Sequence, residues 1–352
     1  MIFYLSLSRI YLIILFMFVR IVPNKLFVIM ASLLIVAVGC NRKSDFITID
    51  STALGTFVQV KCKTTLPPEE IHSIIEEIDR EAKASMSIFD PNSLLSAINR
   101  NEQDGADEHI IYNIALAEKL SQISNGAYDI TIKPLTDAWG FGREKGERRE
   151  PNIDSLLAFI GHDKLSIEVN RVIKQDPRIQ IDLNSIAKGY VVDMVAERLE
   201  SLGIVDYMIN IGGELRCKGK NPRDAKWTIG IETPYDGNMA MDSFEKIISI
   251  DNVAVATSGN YRRFYINEEG DKIVHTIDPR TGYSVVSTLL SATVVAKECA
   301  LADAAATMFM ALGSDEALEV AKRYEAEFDW KYYFIFADGE GYRVECSEEF
   351  RE

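Results

Sequence analysis

The sequence lacks several features that mark common classes of protein. It contains no lysine- or arginine-rich block, and its formal net charge is −15, so a nucleic acid is not expected as a partner. It contains no internal repeat or low-complexity segment. Five of its 352 residues are cysteines, and they lack the paired spacing of a zinc site. A hydrophobic content of 47% still supports a sizeable core, in one large or two modest domains.

The first 39 residues also lack any aspartate or glutamate. Within them, an apolar run over residues 26–39 follows Lys25 and ends in small residues before Cys40. This pattern predicts a signal peptide over residues 1–39. Residues 37–40 resemble a lipobox, the sequence at which a signal peptide is cut before a lipid-bearing cysteine.

We therefore expect diacylglycerol on Cys40, a lipidated tether over residues 40–48 and a folded domain over residues 49–352. The protein would then be exported and anchored by lipid to a membrane, facing the periplasm or the cell exterior. A transmembrane anchor that includes residues 2–22 is the alternative, but two arginines interrupt that segment.

A predicted helix begins within residues 181–214. An apolar alternation over residues 179–183 predicts the end of a strand, with Asp182 pointing to the opposite side. Asn184 or Ser185 is then the expected helix cap. The helix should end at Gly203. Its apolar stripe consists of Ala187, Val191, Val195, Leu199 and Leu202.

The first turn of this helix brings together an acid, a hydroxyl and an amine, which are Asp182, Ser185 and Lys188. Free backbone N–H groups and the positive end of the helix dipole lie at the same place and suit a phosphate. A predicted strand then runs into Gly212-Gly213, where a backbone can approach a ligand closely. The alternative to a phosphate site is a purely structural one, in which Asp182 is a capping acid, Ser185 a cap residue and Lys188 a solvated lysine.

A second helix is predicted over residues 298–313, which are rich in alanine. Asp303 and Thr307 are four residues apart and therefore share a face. Two hard oxygen donors on a helix of small side chains suit Mg²⁺, which prefers oxygen ligands and keeps water ligands in phosphate chemistry. An acid and a threonine at this spacing are also common in helices without a metal.

Two further motifs accompany these helices: YDITIKPLTDAWGFG at residues 128–142 and HTIDPRTG at residues 275–282. Together the four motifs resemble those of the ApbE family, Mg²⁺-dependent FAD:protein FMN transferases, over most of the chain after about Ser51. The resemblance implies an α+β fold of T-fold-related architecture, in which mixed sheets pack with helices over residues 49–352.

The same resemblance implies roles for particular residues. The ligands of Mg²⁺ would be Ser185, Asp303, Ala306 and Thr307. The residues that contact FAD would be Leu54, Phe89, Ala127, Tyr128, Asp129, Asp182, Lys188 and Ile277. His275 would act as the base for the acceptor hydroxyl, because imidazole titrates near working pH. Leu54 and Phe89 stand where the family usually has Met and Tyr. Two alternatives stay open: Phe89 could be an ordinary core residue, and His275 could be an exposed histidine at the end of a strand.

The implied reaction transfers FMN from FAD to a Thr or Ser hydroxyl through a phosphoester bond and releases AMP. FAD is the substrate, and the acceptors are flavoprotein subunits of membrane redox complexes. Two alternatives stay open. Water could replace the acceptor, so that FAD is hydrolysed to FMN and AMP, or the protein could be a lipid-anchored FAD-binding protein without activity.

Hydrophobic periodicity predicts the remaining elements. Helices are expected over residues 69–84, 109–124 and 153–160. Strands are expected over residues 48–61, 227–232, 247–255 and 291–296, and a C-terminal hairpin over residues 330–336 and 342–346. The run around Asp129 is strand-like, so this carboxylate requires a partner.

Overall fold

The computed structural model describes residues 45–142, 151–234, 244–260 and 264–351. The predicted signal peptide and Cys40 lie outside these residues. In the described part of the chain, no helix combines the length and the apolar composition that crossing a bilayer requires. Residues 45–48 belong to a strand rather than to the predicted tether, because Phe46 and Ile47 pack against the core.

The described residues form eight α-helices. They are α1 (Pro68–Met86), α2 (Leu94–Asn99), α3 (Glu108–Ile123), α4 (Lys133–Ala138), α5 (Ile153–Leu157), α6 (Ala187–Ser201), α7 (Cys299–Leu312) and α8 (Ser314–Phe328). Helices α1, α3, α6 and α7 confirm the predicted ones to within a few residues, whereas α8 was not predicted. In α1 the buried isoleucines recur at helical spacing and face the core, as the sequence predicts.

Fourteen strands lie in the same residues. They are β1 (Asp45–Ala53), β2 (Thr56–Thr64), β3 (Leu165–Glu168), β4 (Arg171–Lys174), β5 (Tyr207–Ile211), β6 (Glu214–Lys218), β7 (Trp227–Glu232), β8 (Phe244–Ile250), β9 (Val253–Gly259), β10 (Phe264–Ile266), β11 (Lys272–Val274), β12 (Leu289–Ala296), β13 (Lys331–Asp338) and β14 (Gly341–Cys346).

Eight strands form one large sheet in the order β1-β2-β5-β6-β9-β12-β13-β14, and β3–β4, β7–β8 and β10–β11 form three small sheets. The neighbours from β2 to β14 pair antiparallel, for example Val58 with Ile211 and Val294 with Ala256. A large antiparallel sheet with helices packed against it confirms the α+β fold class.

Both faces of the large sheet are covered. Because side chains alternate along a strand, Phe334 and Phe336 of β13 face the helices, whereas Tyr333 and Ile335 face the hairpin β7–β8. The main core lies on the helical side, between the sheet and α1, α3, α6, α7 and α8. The sheet is therefore a rigid base for the residues that its strand ends carry.

Two strands predicted as continuous are broken by turns. The strand predicted over residues 48–61 is instead the neighbouring strands β1 and β2, joined by Leu54 (φ 51°) and Gly55 (φ 75°). The strand predicted over residues 247–255 divides into β8 and β9 at Asn252 (φ 54°). In both places the chain adopts positive φ, which ends a strand.

Helix α7 is buried on nearly all sides, between the sheet and α6. Its small side chains let neighbouring backbones approach closely. At Gly189 in α6, an added Cβ would lie 2.3 Å from the Cys299 carbonyl oxygen and 2.8 Å from Asp303 Cβ. Glycine is therefore required where the two helices meet, and the starts of α6 and α7 are held close together.

Candidate functional site

Residues from all four motifs line one cavity of about 390 Å³, which we call the central pocket. It lies among the start of α6, the middle of α7, the turn between β5 and β6, the segment before α4 and the segment after β11. The predicted site residues on its wall are Ala127, Tyr128, Asp129, Asp182, Ser185, Lys188, His275, Ile277, Asp303 and Thr307. Their positions bring the sequence motifs together, while their individual roles stay predictions.

Three predicted site residues do not line the central pocket. Leu54 lies in the turn between β1 and β2, where its N–H donates to Asp79 Oδ1 at 2.7 Å. Phe89 lies in the loop after α1 and is 54% exposed. Ala306 is fully buried in α7, and its side chain lies off the pocket wall. Cys40 lies outside the described residues.

The segment before α4 contributes Tyr128 and Asp129. The predicted strand-like run is a turn, because Asp129 Oδ1 accepts hydrogen bonds from the N–H (2.7 Å) and the hydroxyl (2.8 Å) of Thr131. These bonds supply the partner that the sequence required. Burial still raises the pKa of Asp129, although the bonds to Thr131 oppose the shift.

Tyr128 connects this segment to the start of α6. Its hydroxyl lies 2.9 Å from Ser185 Oγ. Burial raises the pKa of Tyr128, and the nearby carboxylates raise it further, so the phenol keeps its proton. The two hydroxyls form a neutral polar wall beside the acids of the pocket.

The cap that the sequence predicts for α6 is wrong. The helix begins at Ala187, and Ile186 caps it without a side-chain hydrogen bond. Neither Asn184 nor Ser185 is the cap; the Asn184 N–H donates to Asp182 Oδ1 at 2.8 Å, and the Ser185 hydroxyl faces Tyr128. Residues 181–183, where the end of a strand was predicted, have no regular secondary structure. Burial raises the pKa of Asp182, opposed by the bond from Asn184.

The carboxylate of Asp303 supplies the missing cap from the neighbouring helix. Its Oδ2 accepts the Gly189 N–H, in the first turn of α6, at 3.0 Å. Burial raises the pKa of Asp303, Lys188 opposes the shift and Glu214 adds to it, and the resulting pKa is about 7. Thr307, one turn later on the same face, places its hydroxyl 3.1 Å from Ser258 Oγ.

Lys188 lies among these carboxylates and forms an ion pair with Glu214. Burial disfavours its charge, but Asp303 and Glu214 outweigh burial, so the pKa of Lys188 lies above its usual range. Sequence reasoning missed Glu214 as a site residue. The available signal was an acid in a buried strand, directly after Gly212-Gly213.

His275 and Ile277 line the pocket from the segment after β11. The His275 ring meets Phe141 edge to face, with ring centroids 6.4 Å apart. Ion pairs from Arg280 to Asp278 (2.9 Å) and to Glu316 (2.7 Å) fix the following turn. Contacts on both sides of this segment therefore hold the imidazole in place on the pocket wall.

The donors of the central pocket are hard oxygens. Within the described residues, no three His, Cys, Asp or Glu side chains cluster as a metal site. One carboxylate with hydroxyls nearby, from Asp303, Thr307 and Ser185, fits a small oxygen-preferring cation that keeps water ligands. It does not resemble the nitrogen and sulfur ligands of a structural zinc site.

Comparison with known proteins agrees with this arrangement. The chain is 36% identical over 330 residues to the FAD:protein FMN transferase of Haemophilus influenzae, covering 89% of this chain and 93% of that protein. It is 35% identical over 304 residues to the FAD:protein FMN transferase of Vibrio cholerae, covering 84% and 90%.

Solved structures show the same fold. The flavin transferase ApbE from Vibrio cholerae superposes with a TM-score of 0.78 at 31% identity, covering 88% of this chain and 99% of that one. The apo flavinyl transferase ApbE of Pseudomonas stutzeri gives 0.78 at 30% identity, covering 88% and 97%. The model of the ApbE family matches residues 54–330, which include all the residues of the central pocket, and the chain therefore belongs to the ApbE family.

Proposed function

We propose that this protein transfers FMN from FAD to a Thr or Ser hydroxyl of an acceptor flavoprotein and releases AMP. The observation that carries the proposal is the central pocket, which unites the four motifs of the sequence in a member of the ApbE family. The curated relatives that match nearly the whole chain are FAD:protein FMN transferases.

In the proposed reaction, the acceptor oxygen forms a bond to the FMN phosphorus. The bond between that phosphorus and the bridging oxygen of the pyrophosphate breaks, and the bridging oxygen leaves with AMP. The acceptor hydroxyl loses its proton, and His275 on the pocket wall is the proposed base. Phosphoryl transfer depends mainly on positioning and on neutralising charge, which a set of fixed polar groups can provide.

We propose Mg²⁺ as the cofactor, with Asp303 and Thr307 as side-chain ligands, Ser185 as a further ligand and a carbonyl from Ala306. The support is the donor chemistry: Asp303 is a buried carboxylate whose hydrogen bond from Gly189 engages Oδ2, and two hydroxyls share its pocket. A bound Mg²⁺ would neutralise charge on the pyrophosphate.

The remaining pocket residues would hold FAD. The first turn of α6 presents Lys188 and backbone N–H groups to a phosphate. Tyr128, Asp129 and Asp182 offer further hydrogen-bonding groups on the wall of the pocket. Burial raises the pKa of both aspartates.

We also propose that the protein is exported and anchored by lipid on Cys40, and that its acceptors are flavoprotein subunits of membrane redox complexes. The support for export is the N-terminal sequence pattern alone. A lipid anchor on Cys40 would place the central pocket near such acceptors. Cys40→Ala should abolish the shift in mass and the detergent partitioning that lipidation produces.

The decisive experiment incubates the protein with FAD, Mg²⁺ and a purified acceptor, followed by mass spectrometry of the acceptor and assay of AMP. We expect one FMN on an acceptor Thr or Ser for each AMP released. Free FMN and AMP without labelling would instead indicate hydrolysis, and unchanged bound FAD would indicate a binding protein. Either result would overturn the proposed transfer.

A further inference from the structure

Glu214 has a bonding pattern that the proposed reaction does not yet explain. It is the first residue of β6, it is 5% exposed, and it lines the central pocket. Its Oε1 accepts a hydrogen bond from Lys188, whereas its Oε2 is buried without a hydrogen-bond partner. An unpartnered buried carboxylate oxygen costs stability, so this position calls for a functional reason.

Lys188 interacts with two carboxylates but is bonded to one of them. Against the effect of burial, attraction to Asp303 and to Glu214 favours the charge of Lys188, and the hydrogen bond to Glu214 favours it as well. The ion pair of Lys188 is with Glu214, while Asp303 accepts its hydrogen bond from Gly189. The Lys188 ammonium is thus attracted to Asp303, the proposed metal ligand, but it is held by Glu214.

The two partners differ in stiffness. Glu214 extends from a strand, directly after a tight turn in which Gly212 has φ 65°. Lys188 has a long flexible side chain that is 35% exposed. Without the carboxylate of Glu214, the ammonium has the freedom and the electrostatic reason to move to Asp303.

We propose that Glu214 is a positioning residue that holds the Lys188 ammonium away from Asp303 and so keeps Asp303 available to a divalent cation. This inference depends on the proposed function, because it takes Asp303 as a ligand of Mg²⁺. It also gives Lys188 a fixed place beside the cation, from which the ammonium can meet a phosphate. Glu214 acts through Lys188 and is not itself a metal ligand.

The test measures cation binding without FAD or activity. Mn²⁺ serves as the probe, and its dissociation constant is measured by electron paramagnetic resonance on the wild type, Glu214→Gln, Lys188→Met and the double variant. We expect Glu214→Gln to weaken Mn²⁺ binding about tenfold, because the released ammonium competes for Asp303. Lys188→Met should tighten binding, because a competing positive charge is gone.

The double variant separates the two possible roles of Glu214. If Glu214 acts through Lys188, Glu214→Gln should weaken Mn²⁺ binding about threefold or less in the Lys188→Met background. The loss of the negative charge of Glu214 is the only effect that remains there. An effect as large in that background as in the wild type would make Glu214 a direct ligand or a simple charge, and would overturn the inference. An unchanged dissociation constant in Glu214→Gln would overturn it as well.

Two further variants keep the result interpretable. Glu214→Asp keeps the negative charge, but the shorter side chain moves it away from Lys188, so this variant should bind Mn²⁺ more weakly. An affinity equal to that of the wild type would contradict a positioning role. Glu325→Gln breaks a remote ion pair with Lys331 (3.1 Å) and should bind Mn²⁺ as the wild type does. If the wild type and Asp303→Ala bind Mn²⁺ equally, the proposed metal site fails, and this inference fails with it. If Asp303→Ala loses Mn²⁺ binding but the Glu214 variants do not behave as expected, the positioning role of Glu214 fails and the proposed metal site stands.

Discussion

Two buried carboxylates join α6 and α7, and they differ in what binds them. Asp193 of α6 accepts the N–H groups of Cys299 (2.9 Å) and Ala300 (2.8 Å) at the start of α7, and it also accepts a bond from Arg216 (2.6 Å). Asp303 of α7 caps the start of α6 in return, through a single N–H from Gly189. Each helix thus caps the other.

The two carboxylates differ in the partners that their oxygens have and in their access to the central pocket. Both oxygens of Asp193 are engaged by backbone N–H groups, and a guanidinium compensates the charge. Asp303 lies on the wall of the central pocket, where its hydrogen bond from Gly189 engages Oδ2. Burial raises the pKa of both, to about 6 for Asp193 and about 7 for Asp303. The number of partners and the access to the pocket, rather than burial, therefore distinguish Asp193 from Asp303, the proposed metal ligand.

The largest expected effect is the loss of Asp303. Asp303→Ala should reduce FMN transfer by more than the about 10²–10⁴-fold that removal of a general base costs, because the proposed cation loses its charged ligand. High Mg²⁺ should restore part of the rate. Single-turnover labelling of the acceptor measures the effect. Activity that is unaffected by this change, or by EDTA in the wild type, would contradict the functional assignment of Asp303.

His275 should affect chemistry without affecting binding. His275→Ala should slow acceptor labelling by about 10²–10⁴-fold while leaving FAD affinity unchanged, since a general base acts in the transition state. Asp182→Ala is the matched comparison and should weaken FAD binding itself. FAD titration and single-turnover labelling separate the two outcomes. A wild-type rate in His275→Ala, or a loss explained by weaker FAD binding, would move the base elsewhere.

Asp193 should show the opposite pattern to Asp303. Asp193→Ala removes the nearer of the two carboxylates that pair with Arg216 and leaves the start of α7 without its cap, so we expect the free energy of unfolding to fall by about 4 kcal/mol. Urea denaturation measures this loss. Fully folded Asp193→Ala protein should retain much of its transfer rate in excess Mg²⁺. A loss of activity without a loss of stability would remove the distinction between the two acids.

The dependence of stability on pH gives a smaller effect. The pKa of Asp193 is about 6 in the fold, above the ordinary value of 3.8, so the folded protein binds the extra proton. Relative to Asp193→Asn, which does not titrate, the wild type should lose about 2 kcal/mol of stability as pH rises from about 4 to about 6. Urea denaturation of both proteins across this range tests the sign, and a relative gain with rising pH would contradict it.

The sequence predicts the parts of the site that local pattern determines. Periodicity located α1, α6 and α7, and the spacing of Asp303 and Thr307 placed both on the pocket wall. The predictions failed where distant residues decide. The cap of α6 comes from α7, more than a hundred residues later, so no local sequence around Ser185 could reveal it.

Other wrong predictions concern turns, which had local signals in the sequence that the alternation of hydrophobic residues concealed. Asp129 bonds to Thr131 two residues later, which turns an apparently strand-like run into a turn. Asp251-Asn252 is turn-forming, and it separates β8 from β9 within an apolar run. Glu214 was overlooked because its meaning depends on Lys188, which only the assembled helix and strand bring to it.

The mutual capping of α6 and α7 also affects the rate at which their amide hydrogens exchange with solvent. N–H groups in the first turn of a helix have no partner within the helix and normally exchange early. Here the amides of Gly189, Cys299 and Ala300 donate to carboxylates of the other helix, so each is released only when the two helices separate. These three amides should therefore exchange together, and their common rate measures how often the floor of the central pocket opens.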